Sequence, residues 1–103
     1  MADGAQLVIR RAVAADIGAI VALFAADALG GHGDTNDMAA RPDYAAAFAR
    51  IAASSCDTLW AAELAGEVAG TFQTTLTTTM AGRGRPILTI EALQTRADLR
   101  GRG

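Results

Sequence analysis

Three extended segments joined by short turns fill the second half of the chain and restrict the folds open to it. They are residues 58–64, 67–79 and 87–95, separated by residues 65–66 and 82–86. Strands connected by turns this short pair antiparallel, because a parallel pair needs a long crossover connection. The sequence therefore predicts an antiparallel meander and argues against repeated βαβ units.

The first turn of this meander consists of Ala65 and Gly66. Gly66 adopts a positive φ at no steric cost, whereas the side chain of Ala65 opposes it, so we expect a turn with a single left-handed residue. In the strand that follows, Val68, Phe72 and Leu76 lie at even spacing, which predicts that they share one face of the sheet.

Two amphipathic helices precede the meander. Apolar residues recur every three or four positions over residues 16–29 and again over residues 43–54, which predicts one apolar stripe on each helix. Asp16 lies in the first turn of the first helix, and Asp43 is the predicted N-cap of the second. The aromatic residues expected in the core of this helix pair and the sheet are Tyr44, Phe48, Trp60 and Phe72.

A short β-branched run at residues 7–9 predicts a further strand, with Arg10 and Arg11 reaching solvent. The element order is then β-α-α-β-β-β. This order indicates an α+β domain in which two helices pack on a mostly antiparallel sheet. The polar stretch 30–42 between the helices predicts an exposed loop.

Composition excludes several classes of function. With 103 residues, 51% of them apolar, the chain has room for one domain at most. A formal charge of −2 gives no positive field for nucleic acid or an anionic membrane, and we expect no bilayer-spanning segment. Cys56 is the single cysteine and has no partner for an intramolecular disulfide, so we expect a cytoplasmic protein.

The last four residues, 100–103, have the sequence Arg-Gly-Arg-Gly and follow the strand 88–95 through a short link. Glycines directly after a strand let the backbone approach a phosphate group closely. Gly-Arg-Gly also occurs in flexible basic tails, so the tail alone leaves both interpretations open.

Together, the strand and the tail resemble the central motif of the Gcn5-related N-acetyltransferases, in which the fourth strand leads into an Arg/Gln-x-x-Gly-x-Gly/Ala loop. Residues 10–12 followed by Asp16, and the hairpin 62–70, resemble the same family, so the resemblance covers nearly the whole chain. Six residues match the motif, and three replace its usual Val, Pro and Tyr. The matching residues are Glu91, Leu93, Asp98, Arg100, Gly101 and Gly103, and the replacements are Thr95, Ala97 and Leu99.

The resemblance implies an enzyme that transfers the acetyl group of acetyl-CoA to a primary amine of a small molecule or peptide. Backbone N–H groups of the loop would hold the CoA pyrophosphate, and the main chain of the strand would pair with the pantetheine arm. Glu91 is the candidate general base. The expected cofactor-binding residues are Leu93, Gln94, Thr95, Arg100, Gly101, Arg102 and Gly103.

The sequence stops at Gly103, before the last Gly or Ala of the motif and the helix behind it. We therefore expect residues 1–103 to form a single partial acetyltransferase domain, without the C-terminal half of the fold, that binds acetyl-CoA poorly as a lone chain. We expect direct attack of the amine on the thioester rather than a covalent intermediate, because Cys56 lies outside the motif strand.

Several of these residues have a plainer interpretation. Glu91 fits a surface or salt-bridged glutamate, and as a base it is more effective through relayed waters than directly. His32 has no second ligand at a suitable spacing, so we expect no metal site. Asp34 and Asp37 are typical of a solvated loop, although attraction of a cationic amine stays open.

Two other functions compete with acetyl transfer. A last strand left at the sheet edge can pair with a second copy, which would make the chain a dimerising or strand-swapping module. An RNA-binding role for residues 96–103 is disfavoured by the acidic net charge and by the lack of a nearby stacking aromatic residue.

Overall fold

The computed structural model describes residues 6–26 and 34–99. Four antiparallel strands form one sheet in the order β1-β2-β3-β4, and two helices cover one of its faces. The predicted element order, meander and α+β class are therefore confirmed. The main elements are β1 (Leu7–Arg11), α1 (Ile17–Ala25), α2 (Arg41–Ala53), β2 (Asp57–Leu64), β3 (Glu67–Thr78) and β4 (Pro86–Thr95). A four-residue segment, Ala81–Gly84, turns the chain from β3 into β4.

Helix α2 begins earlier than predicted. A 3-10 turn at Met38–Ala40 leads into it, and the side chain of Asp37 caps this turn by accepting a hydrogen bond from the N–H of Ala39 at 3.0 Å. The prediction that Asp43 is the N-cap is wrong, because Pro42 already lies at the start of the helix. Asp43 lies within the first turn instead, where its charge suits the helix dipole.

Helix α1 also follows a 3-10 turn, Ala14–Asp16, and ends at Ala25. The end predicted for it at residue 29 lies outside the described residues. None of the helices in the described part of the chain is long and apolar enough to cross a membrane.

The core is small and lies between α1 and the middle of the sheet. Helix α2 contributes no buried residue, so it covers the sheet without packing closely against it. The buried apolar side chains, each at most 7% exposed, are Ile20, Val21, Leu23, Ala61 and Ala69.

The four aromatic residues predicted for the core are only half-buried. Trp60 lies on the face of the sheet away from the helices, where its ring stacks on Phe72 with centroids 6.1 Å apart. Its indole Nε1 donates to Thr74 Oγ1 at 2.9 Å, and Arg11 lies over the ring at 6.0 Å. This face, here called the outer face, lacks a covering helix in the described residues, which explains the incomplete burial of Trp60 and Phe72.

The outer face also presents aliphatic side chains to solvent. Five of them, from three strands, are between 47% and 62% exposed. Apolar patches of this kind mark surfaces that contact another element or molecule. They are Leu7, Ile9, Leu76, Leu88 and Ile90.

The hairpin between β2 and β3 has two left-handed residues, not one. The φ angle of Ala65 is 53° and that of Gly66 is 84°. The prediction of a single left-handed residue is therefore wrong. Positive φ at both positions is the pattern of a type I′ turn, whose twist matches that of the flanking strands, and strand pairing outweighs the local cost at Ala65.

Val68 does not share a face with Phe72, contrary to the spacing argument. Glu63 pairs with Val68 and Ala62 with Gly70, so an extra residue lies between the two pairs on β3. Such a bulge shifts the alternation of side chains. Val68 therefore faces α1, whereas Phe72 lies on the outer face.

Candidate active site

Strand β4 contains four of the predicted site residues, Glu91, Leu93, Gln94 and Thr95, and forms one edge of the sheet in the described part of the chain. Its ladder with β3 contains a second bulge, because Ala92 and Leu93 together oppose Phe72. Ala92 has a φ of 54°, the left-handed conformation that accommodates the additional residue. Alanine has no preference for positive φ, so no sequence signal predicted this bulge.

The bulge directs two candidate site residues to the same side of the sheet. Glu91 opposes Gln73, and Gln94 opposes Thr71. Directly opposed residues share a face, and both β3 partners lie on the face that the helices cover. Residues three apart in a regular strand would lie on opposite faces. The candidate base and a candidate cofactor-binding residue therefore share one face only because of the extra residue.

Gly70 permits the close approach of β3 and β4 beside this bulge. A Cβ atom at Gly70 would lie 3.2 Å from the carbonyl oxygen of Gln94 and 3.6 Å from the Cβ of Ala62. The first contact is with backbone, which cannot rotate away as a side chain can. Gly70 therefore helps to set the position of the motif strand.

The candidate site residues differ in exposure. Glu91 and Leu93 are exposed, with Leu93 at 66%, whereas Gln94 and Thr95 are half-buried. Thr95 borders a shallow groove of about 550 Å³ between the end of β4 and α1. The residues predicted to bind pyrophosphate, Arg100, Gly101, Arg102 and Gly103, lie outside the described residues.

Three solved structures match this arrangement over almost all of the chain. A transcriptional regulator from Bacillus halodurans C-125 is 28% identical over 95% of this chain and 65% of its own, with a TM-score of 0.86. Glucosamine-6-phosphate N-acetyltransferase from Arabidopsis thaliana is 15% identical over 94% of this chain and 65% of its own, with a TM-score of 0.71. A predicted acetyltransferase from Clostridium acetobutylicum, solved with acetyl-CoA, is 19% identical over 95% and 65%, with a TM-score of 0.65.

The chain has the Gcn5-related N-acetyltransferase fold. It spans about 65% of the length of each of these solved chains. No protein-family profile matches it, and none of the curated proteins matches it significantly.

After the motif strand of this acetyltransferase fold, a 3-10 turn at Ala97–Leu99 is fixed to the sheet. The N–H of Arg96 donates to the carbonyl of Ala69 at 2.8 Å. The Arg96 guanidinium donates to both carboxylate oxygens of Asp98, at 2.9 and 3.2 Å, and this hydrogen bonding raises the pKa of Arg96. The chain is thus held in place directly before the predicted phosphate loop.

Arg10 and Asp16, which belong to the N-terminal segment that resembles the family, form an ion pair. Arg10 donates to both oxygens of Asp16, at 2.7 and 3.0 Å, and also to Glu63. Asp16 further accepts the N–H of Val13 at 2.7 Å. Arg10 therefore reaches solvent only in part, since its side chain is 32% exposed and paired with two carboxylates, whereas Arg11 is exposed as predicted.

Asp34 and Asp37, the two loop residues whose carboxylates could attract an amine, both accept hydrogen bonds from nearby residues of this fold. Asp34 accepts the hydroxyl of Tyr44 at 2.6 Å, and this hydrogen bond raises the pKa of Tyr44. Asp37 caps the 3-10 turn before α2. His32 lies outside the described residues, and within residues 6–26 and 34–99 no three potential metal ligands come together.

Proposed function

We propose that this chain contains the acetyl-CoA-binding part of an N-acetyltransferase. The observation that carries the proposal is the bulged edge strand β4, which leads within this fold toward the Arg-Gly-Arg-Gly sequence. The similar fold of glucosamine-6-phosphate N-acetyltransferase and of a protein solved with acetyl-CoA supports it. The acceptor would be a primary amine of a small molecule or peptide.

The co-substrate would bind along the motif strand. An edge strand offers main-chain N–H and C=O groups to an extended ligand, and the pantetheine arm would pair with Leu93, Gln94 and Thr95 as a further strand does. A backbone N–H in this segment would polarise the thioester carbonyl. The pyrophosphate would bind to the N–H groups of Arg100, Gly101, Arg102 and Gly103.

The reaction needs a neutral amine, because an ammonium ion has no lone pair. Glu91 would accept the amine proton, directly or through a water molecule. The amine nitrogen then attacks the thioester carbonyl carbon, the C–N bond forms and the C–S bond breaks. The CoA thiolate takes up the proton that the nitrogen loses as the amide forms. Glu91 lies on the helix-covered face but is exposed, and this location is compatible with a relay.

We also propose that residues 1–103 belong to one larger acetyltransferase domain. The outer face supports this, because its exposed leucine and isoleucine side chains form a surface on which further elements of such a domain can pack. The chain's coverage of about 65% of the solved chains is consistent with it.

Acetyl transfer is testable with the protein expressed from its full reading frame. Release of the CoA thiol from acetyl-CoA is measured with a panel of primary amines, and the acetylated amine is identified by mass spectrometry. We expect Glu91→Gln to lower kcat about 100-fold, the size typical of a lost general base, with little change in KM for acetyl-CoA. Glu67→Gln, at the exposed first residue of β3, is the matched control and should retain activity.

The outcomes separate three claims. If no amine releases CoA and acetyl-CoA does not bind, the proposed function is wrong. If Glu91→Gln stays within threefold of the parent, only the role of Glu91 is wrong. If Cys56→Ala loses more than tenfold, direct attack is wrong, since Cys56 is an exposed residue outside β4.

A dimerising or strand-swapping module is the second candidate, favoured by the edge position of β4 and the exposure of Leu88 and Ile90 at 60% and 61%. The fold alone does not decide between them, and a transcriptional regulator shares it. Sedimentation of the 103-residue chain distinguishes the candidates. A monomer that binds acetyl-CoA at micromolar concentration rejects the module, whereas a stable dimer without acetyl-CoA binding supports it.

A further inference from the structure

A cavity of about 220 Å³ lies between the two helices and the helix-covered face of the sheet. Both helices contribute four residues to its wall, and the sheet contributes two. Because the cavity is open to solvent, a small molecule can enter without unfolding the helices. The lining residues are Ile17, Ile20, Val21, Phe24, Tyr44, Ala47, Phe48, Ile51, Leu59 and Gln73.

The wall of this cavity is almost entirely apolar. Among the described residues that line it, none is charged, and the polar side chains belong to Tyr44 and Gln73. The Tyr44 hydroxyl donates to Asp34 and accepts the N–H of Thr35 at 3.2 Å, so it is already satisfied. A polycationic ligand would therefore lose its hydration here without gaining a counter-charge, whereas an apolar group would gain from burial.

The residues of α2 that face the cavity remain partly exposed to solvent. Tyr44, Ala47, Phe48 and Ile51 are half-buried, and α2 has no buried residue at all. Protein interiors are normally close-packed, and apolar cavities of about 150 Å³ bind benzene. A space of about 220 Å³ accommodates an aromatic ring or branched aliphatic group with a short side chain.

The cavity adjoins the candidate base. Gln73 lines it and lies directly opposite Glu91 in the β3–β4 ladder. Opposed residues of an antiparallel pair have Cβ atoms about 5 Å apart. A ligand whose apolar group fills the cavity would therefore place a short amino-bearing chain near Glu91.

We propose that this cavity binds the apolar group of a primary amine, an aryl-alkyl or branched alkyl amine, and that such an amine is the acetyl acceptor. The second part rests on the proposed function above. The first part concerns binding to the cavity alone, and it is tested independently of acetyl transfer.

Binding is measured on the 103-residue chain by titration with 2-phenylethylamine, followed by NMR. We expect shifts at Ile20, Val21, Ile51 and Leu59, and none at Ile90 on the outer face. Ethanolamine has the same amino group without the ring and should bind at least tenfold more weakly. Equal binding of the two amines, or shifts confined to the outer face, would overturn the proposed site.

Two substitutions on α2 provide a matched pair. Ala47→Phe fills the cavity and should weaken 2-phenylethylamine binding at least tenfold, whereas Ala46→Phe adds the same ring at an exposed position and should leave binding unchanged. Circular dichroism checks folding. If Ala47→Phe does not fold, Ala47→Val narrows the cavity less and should weaken binding about threefold. Unchanged binding in the folded cavity variant contradicts the proposal.

The acetyl-transfer assay distinguishes this proposal from the proposed function. Acetylation of ethanolamine and 2-phenylethylamine with equal kcat/KM would overturn the acceptor class and leave acetyl transfer intact. Binding of 2-phenylethylamine in the cavity without acetylation of any amine would uphold the binding site and reject the proposed function.

Discussion

Single residues with positive φ determine the geometry around the motif strand. Ala65 and Ala92 are alanines in a left-handed conformation, with φ angles of 53° and 54°. A residue with a Cβ loses about 1 kcal/mol in this region relative to glycine. Both occur where strand pairing requires them, Ala65 in a two-residue hairpin and Ala92 in the bulge that directs Gln94 to the face of Glu91.

A residue that tolerates positive φ better than alanine should remove the free-energy cost at Ala65. Asparagine tolerates positive φ and is the preferred first residue of this hairpin turn when glycine follows, as Gly66 does. We expect Ala65→Asn to raise the free energy of unfolding in urea by about 0.5 kcal/mol. Ala49→Asn, on the exposed side of α2, is the matched control and should lower it by a similar amount, because asparagine is a poor helix former. A loss at both positions would mean that the turn is not left-handed at Ala65.

The positions of these alanines show which features of the fold the sequence predicts and which it does not. Spacing and turn chemistry predicted the order of elements, and the family resemblance indicated Glu91 and Leu93 as site residues. An inserted residue leaves composition and average spacing unchanged, so neither bulge was predicted. Because the bulge in β3 was not predicted, the face of the sheet on which Val68 lies was predicted wrongly. The role of Gln73 in the cavity wall depends on helix placement, which no pattern in β3 encodes.

Two glycines, one in a helix and one in a strand, contact different kinds of neighbouring atoms. Gly18 lies in α1, and a Cβ there would approach the end of the flexible Arg41 side chain at 3.3 Å. Gly70 lies in β3, and a Cβ there would approach the backbone oxygen of Gln94 at 3.2 Å. The distances are nearly the same, so the mobility of the neighbouring atom decides the effect.

We therefore expect the same substitution to have opposite effects at the two positions. Gly18→Ala should raise the unfolding free energy by about 0.5 kcal/mol, because alanine restricts the unfolded chain and Arg41 can move aside. Gly70→Ala should lower it by about 1 kcal/mol, because overpacking displaces β4. Urea denaturation of both variants measures this. Stabilisation by Gly70→Ala would show that β4 does not approach β3 as closely as described.

Because the core of this protein is small, polar connections between its elements are important for stability. The ion pairs of Arg10 connect β1 to Glu63 in β2 and to Asp16 at the start of α1. Asp16 is 7% exposed. Arg10 lowers the pKa of Asp16 by hydrogen bonding, the N–H of Val13 and the charge of Arg10 add to this, and burial opposes it. The helix layer is thus joined to the sheet at the N-terminal side of the fold.

This connection predicts a dependence of stability on pH. Because the pKa of Asp16 is lower in the folded state, its contribution is present above the unfolded value of about 3.9 and is lost as the pH falls through the folded value. We expect Asp16→Asn to reduce the unfolding free energy by about 2 kcal/mol at pH 7, a typical value for hydrogen bonds to a charged group. The difference between parent and variant should shrink below pH 4. Asp43→Asn, an exposed carboxylate in α2, should cost less than 1 kcal/mol. A difference for Asp16→Asn that stays constant from pH 7 to pH 3 would show that the charge of Asp16 does not join the helices to the sheet.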